Sequence, residues 1–159
     1  MSAVLILIVI VVLVVSFVLP AKYKASQIAE GNMIQRDVDF AEYGEIFTLK
    51  HVDSDKIVNA LNQIDFEKIL GNRPSINSSK MTFTARYGFS AQMFLVEDDG
   101  ENMKYRFDFL HWEAAGGSKR ASADAGMNLL LTAIEKMFLS LDPNTQVSKE
   151  KNTTKRKFW

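Results

Sequence analysis

The chain has 159 residues, and 19 Lys plus Arg balance 19 Asp plus Glu to a formal net charge of zero. That length suits one domain and not comfortably two, and the composition excludes a repeat array, a collagen-like chain and a disulfide-stapled mini-protein. With no Cys, a thiolate metal site, a disulfide framework and a cysteine nucleophile are excluded as well.

All of the charges fall after residue 20. From Ala3 to Leu19 every residue except Ser16 is apolar, and 15 of the 17 are Val, Leu, Ile or Phe. At about 1.5 Å per residue the run reaches roughly 25 Å, close to the ~30 Å of bilayer hydrocarbon once Met1, Ser2 and Pro20 are added. The expectation is a single transmembrane helix over 1–20, an uncleaved signal-anchor touching the lipid bilayer through residues 3–19. A cleaved signal fits less well. No Lys or Arg precedes the run, and Leu19-Pro20-Ala21 and Tyr23-Lys24-Ala25 put large residues where cleavage wants small ones. Lys22 and Lys24 follow the run, so the positive-inside rule places the N-terminus outside and the rest of a single-pass cell-membrane protein in the cytoplasm.

Residues 21–44 read as a helical extension and linker, with Gly31-Asn32 as a helix stop. Glu45 to Val52 alternates as a strand, and Asp53 or Ser54 then caps a helix carrying Ile57, Leu61 and Ile64 that ends by Gly71. Pro74 to Ser79 is turn-rich. Three strands follow: Met81 to Tyr87, Phe89 to Val96, and Met103 to Phe109, the last two joined by the turn Glu97 to Asn102. Met81, Phe83, Ala85, Tyr105, Phe107 and Phe109 alternate with hydrophilic residues, the pattern of a sheet covered on one side. The clearest helix runs from Ala121 to Leu141 and stops at Asp142-Pro143. The predicted fold class is α+β. The N-terminal transmembrane helix precedes a two-layer domain over 45–143, an antiparallel sheet of about four strands with two helices on one face, in the order β-α-β-β-β-α. Residues 144–159 read as a disordered basic tail.

The chemistry-bearing residues are sparse. His51 and His111 are the only histidines, without metal-ligand spacing and without a nucleophile elbow, so both read as structural. Four carboxylates at Glu97, Asp98, Asp99 and Glu101 lack the alternation of a calcium loop and read as a hairpin turn around Asp99-Gly100. Gly116, Gly117, Ser118, Lys119 and Arg120 lead into the last helix, where small residues can expose N–H groups to an anion, although Ser122 can act as an ordinary N-cap there. This stretch, with the α-β-β-β-α order from Asp53 to Leu141, resembles the basic helix start of double-stranded RNA-binding domains, which implies contact with RNA phosphates. Residues 53–141 carry 10 basic and 12 acidic residues, however, and a nucleic-acid surface needs a positive footprint.

Residues 149–157 hold five cations against Glu150, and Lys155, Arg156, Lys157, Phe158 and Trp159 combine charge with aromatics suited to a membrane surface. On the hydrophilic sheet face, Thr82, Thr84, Arg86, Lys104 and Arg106, with Asp108, form a better docking surface than anything in the sequence forms an active site. The functional expectation is a non-catalytic protein-interaction or assembly module at the membrane, with a protein partner or a second copy and no cofactor or metal. The rivals are a membrane-associated enzyme or anion-binding domain using His111, Glu113 and Gly116 to Arg120, and, more remotely, an RNA-binding domain.

Overall fold

The computed structural model describes residues 3–36, 42–77, 79–86, 88–115, 118–119 and 121–152. The chain divides into two units, Met1–Gln35 and Arg36–Trp159.

The first unit is helix α1, Ala3–Ala29. It ends where Gly31 turns left-handed at φ 73° and the N–H groups of Asn32 and Met33 both donate to the Gln27 carbonyl, at 2.8 and 3.0 Å. The transmembrane expectation is corrected by this unit. Among the described residues no helix is long and apolar enough to cross a membrane. The single-pass, signal-anchor and cell-membrane assignments, and the orientation with the N-terminus outside, fall with the span.

The second unit contains β1 (Tyr43–Lys50), α2 (Ser54–Asn62), α3 (Phe66–Leu70), β2 (Ser75–Ile76), β3 (Lys80–Ala85), β4 (Phe89–Asp98), β5 (Asn102–Trp112), β6 (Ala114–Ala115), β7 (Ser118–Lys119), α4 (Ala121–Leu141) and β8 (Gln146–Lys151). Six strands form an antiparallel sheet in the order β2-β3-β4-β5-β1-β8, and β6 and β7 pair separately. Alternation along β3 and β5 sends Met81, Phe83, Tyr105, Phe107 and Phe109 to one face. They are buried there with Phe47 and Leu49 of β1, Ile57 and Leu61 of α2, Phe66 and Leu70 of α3, and the Met127, Leu130, Ile134 and Phe138 stripe of α4. The rings of Phe47 and Phe138 stack at 4.8 Å, and Tyr105 lies 5.3 Å from Phe138. α4 comes close to β4 at Gly126, where a Cβ would stand 2.8 Å from Cε1 of Phe89.

The fold differs from the sequence expectation in three places. The sheet has six strands instead of about four, because Ser75–Ile76 adds a short edge and Gln146–Lys151 adds a full one. The segment read as the start of a disordered tail is therefore strand β8, paired with β1 from Tyr43↔Lys151 to Thr48↔Gln146. The single helix expected after Asp53 is two. The Asp65 carboxylate accepts the Lys68 N–H at 3.1 Å, and this local cap starts α3 afresh before Gly71 closes it at φ 75°.

Candidate functional site

α2, α3 and α4 all lie on the aromatic side of the sheet, so among the described residues of this unit the other side carries no helix. On that side the register sets Thr82 beside Gln92 and Gln92 beside Asp108, and in the next row Phe94 beside Arg106 and Arg106 beside Ile46. Thr82 and Thr84 are exposed, Phe94 is half-buried, and Val96 is 51% exposed.

Two of the cations predicted for this face are already engaged. Nε of Arg106 donates to both Asp108 oxygens at 3.0 Å, and Nη1 donates to Glu150 of β8 at 2.9 Å, across β1. The crossing runs over Gly44, where a Cβ would collide with Oδ1 of Asp108 and lie 3.2 Å from Nη2 of Arg106. Arg106 is 17% exposed and acts as a fixed brace. Lys104 donates to Glu97 at 2.6 Å, which raises the pKa of the ammonium. Arg86 sits on the turn after β3, its N–H on the Leu70 carbonyl and its stem 3.1 Å from where a Gly71 Cβ would stand. The accessible part of this face is thus carried by Thr82, Thr84, Gln92 and Phe94 more than by the arginines, with Val96 at the register shift between Leu95 and Glu97.

The other sequence candidates do not assemble into one site. His51 follows β1 and pairs with the β4–β5 turn, whereas His111 lies at the far end of β5, so roughly 30 Å of strand separates them. Nδ1 of His51 is 3.0 Å from Oδ1 of Asp98, and that carboxyl is held below its ordinary pKa first by the Gly100 N–H and then by His51. Asp99 accepts from Glu101 and Asn102, at 2.9 and 2.7 Å, and Gly100 takes φ 83°, so within the acidic cluster Asp98 and Asp99 hold the turn while Glu97 pairs with Lys104. Among the described residues no group of three His, Asp or Glu side chains could hold a metal ion. Of the anion-binding candidates, Ser118 and Lys119 belong to β7, paired with Ala115 and Ala114, while Gly116, Gly117 and Arg120 lie outside the described residues. So do Lys155, Arg156, Lys157, Phe158 and Trp159. An open cleft of about 630 Å³ lies between the α2–α3 corner and residues 73–76, lined by Asp65, Phe66, Glu67 and Arg73.

Sequence reasoning missed a buried polar cluster. Arg36, 4% exposed, donates from Nε to Glu45 at 3.0 Å, from Nη1 to Asn128 and Thr132 at 2.7 and 3.0 Å, and from Nη2 to Glu135 at 2.6 Å. Asn128, Thr132 and Glu135 recur at i, i+4 and i+7, a polar stripe beside the apolar one on this helix, and that was the available signal. Burial raises the pKa of Glu135 above the usual carboxylate range, and Arg36 opposes it only in part. The cluster ties β1 to α4.

No protein-family model matches this chain, and no curated protein is significantly similar to it.

Proposed function

We propose that the unit Arg36–Trp159 is a non-catalytic protein-interaction or assembly module that receives its partner on the sheet face opposite α2, α3 and α4. The supporting observation is the one-sided covering of that sheet. Its inner face is filled by three helices, while Thr82, Thr84, Phe94 and Val96 stand on or near an outer face on which no helix of this unit packs among the described residues. Arg106, Asp108 and Glu150 are pinned by one another, so docking there costs little side-chain ordering. Five strands at about 4.8 Å spacing and roughly six residues at about 3.3 Å give a patch near 20 by 20 Å, the scale of a weak or transient interface.

Replacing Thr82 and Thr84 together by Glu puts two charges on the patch away from the core. Recovery of the partner with the full chain should fall while the circular dichroism spectrum is unchanged. Undiminished recovery would refute docking on this face.

A further inference from the structure

We infer that β8 is an acceptor edge for an extended acidic peptide, which adds to the sheet as a further strand. This rests on reading the unit as a protein-binding module but uses a different surface from the Thr82–Thr84 face. The two ends of the sheet are unequal: β2 has two residues, whereas β8 has six, all of them exposed.

The free backbone groups of β8 follow from the ladder. In an antiparallel pair, opposed residues alternate between those that exchange hydrogen bonds and those that do not. The Asn152 N–H donates to the Glu42 carbonyl at 2.9 Å, in step with the register Tyr43↔Lys151 and Gly44↔Glu150. Even-numbered residues of β8 therefore bond to β1, and the N–H and C=O groups of Val147, Lys149 and Lys151 point away from the sheet. They form the pattern that an added strand requires.

Charge selects the occupant. Glu150, the one acid on the strand, is held by Arg106 at 2.9 Å. On the other side of β8, Lys149 stands across from Glu45, near enough to Glu135 to oppose its raised pKa, with Lys151 two residues beyond. Glu45 and Glu135 both take their hydrogen bonds from Arg36, so Lys149 and Lys151 add positive charge along this edge. Lysines on an edge guard it against a second copy of itself, since that copy would bring lysines of its own. They favour a strand carrying Asp or Glu at alternate positions.

The test uses the full chain and an end-capped peptide of alternating glutamate and valine at low salt. Binding should slow hydrogen exchange at the amides of Val147, Lys149 and Lys151 by about tenfold or more. The double variant K149E/K151E, and a peptide N-methylated along its pairing edge, should each weaken binding by about tenfold or more. Absence of binding, unchanged exchange at those three amides, or equal binding of a lysine–valine peptide would overturn the inference. Crosslinking from position 84 reads the outer-face proposal separately, so failure at β8 leaves that proposal standing and its failure leaves β8 to be judged by the peptide.

Discussion

Arg36 and Glu45 are joined by a charged hydrogen bond, Nε to Oε1 at 3.0 Å, while Oε2 of the same carboxylate is buried without a hydrogen-bond partner among the described residues. The guanidinium is shared among Glu45, Glu135, Asn128 and Thr132, so two acids inside the unit depend on one base. Removing one member of such a buried set is worse than replacing all of it, because the charges left behind stay desolvated.

Arg36→Met should therefore lower the unfolding free energy by about 3–5 kcal/mol. The triple replacement R36M/E45M/E135L should recover most of that loss. Urea titrations of the full chain, followed by the fluorescence of Trp112, measure both. A single variant as stable as the parent would show that the cluster is not a clamp.

The acid response carries two opposite signs. Glu135 has its pKa raised by burial, so between the ordinary carboxylate range and that raised value the folded chain holds a proton the unfolded chain has released. Its contribution is present at low pH and declines as pH rises through the folded pKa. Asp142 is lowered, chiefly by the Lys50 N–H and then by that of Asn144, and Asp98 and Asp99 are lowered by turn amides. Their contributions are present at neutral pH and are lost as pH falls through the folded pKa. Stability curves of Glu135→Gln and Asp142→Asn against pH should accordingly depart from the parent in opposite senses. Parallel curves would contradict the assignment.

Gly44 and Gly100 separate crowding from backbone strain. At Gly44 a Cβ meets the Asp108 carboxylate and stands 3.1 Å from the Phe107 carbonyl, so Gly44→Ala should cost about 1–3 kcal/mol and disturb Arg106. At Gly100 nothing lies within 4 Å, and Gly100→Ala pays only for φ 83°, about 1–2 kcal/mol. Thermal unfolding compares the two, and the Arg106 Nε resonance should move only in the Gly44 variant.

Strands β3 to β5 and helix α4 were legible in the sequence because their apolar residues repeat at two and at 3.6, and Met81, Phe83, Tyr105, Phe107, Leu130 and Phe138 are buried as that repeat requires. β8 was not. Gln146 to Lys151 has a single apolar residue, Val147, and becomes a strand only because β1 presents an open edge and Arg106 holds Glu150. The break between α2 and α3 was hidden for a different reason, since Ile57, Leu61 and Ile64 keep a helical spacing through it and only the Asp65 cap reveals it. On the candidate face, the alternation located Thr82, Thr84, Lys104 and Arg106, but no local pattern foretold that Arg106 would be consumed by Asp108 and Glu150, which is 44 residues distant in the chain. The Arg36 cluster joins residues more than 90 positions apart and was beyond periodicity for the same reason.

The docking face is tested most directly by photo-crosslinking the full chain in its native extract from position 84 on the outer face and, in parallel, from position 55 at the exposed start of α2. The proposal predicts a discrete adduct from position 84 that is absent from position 55 and suppressed by Thr82→Glu. Equal adducts from both positions, or none from position 84, would contradict it.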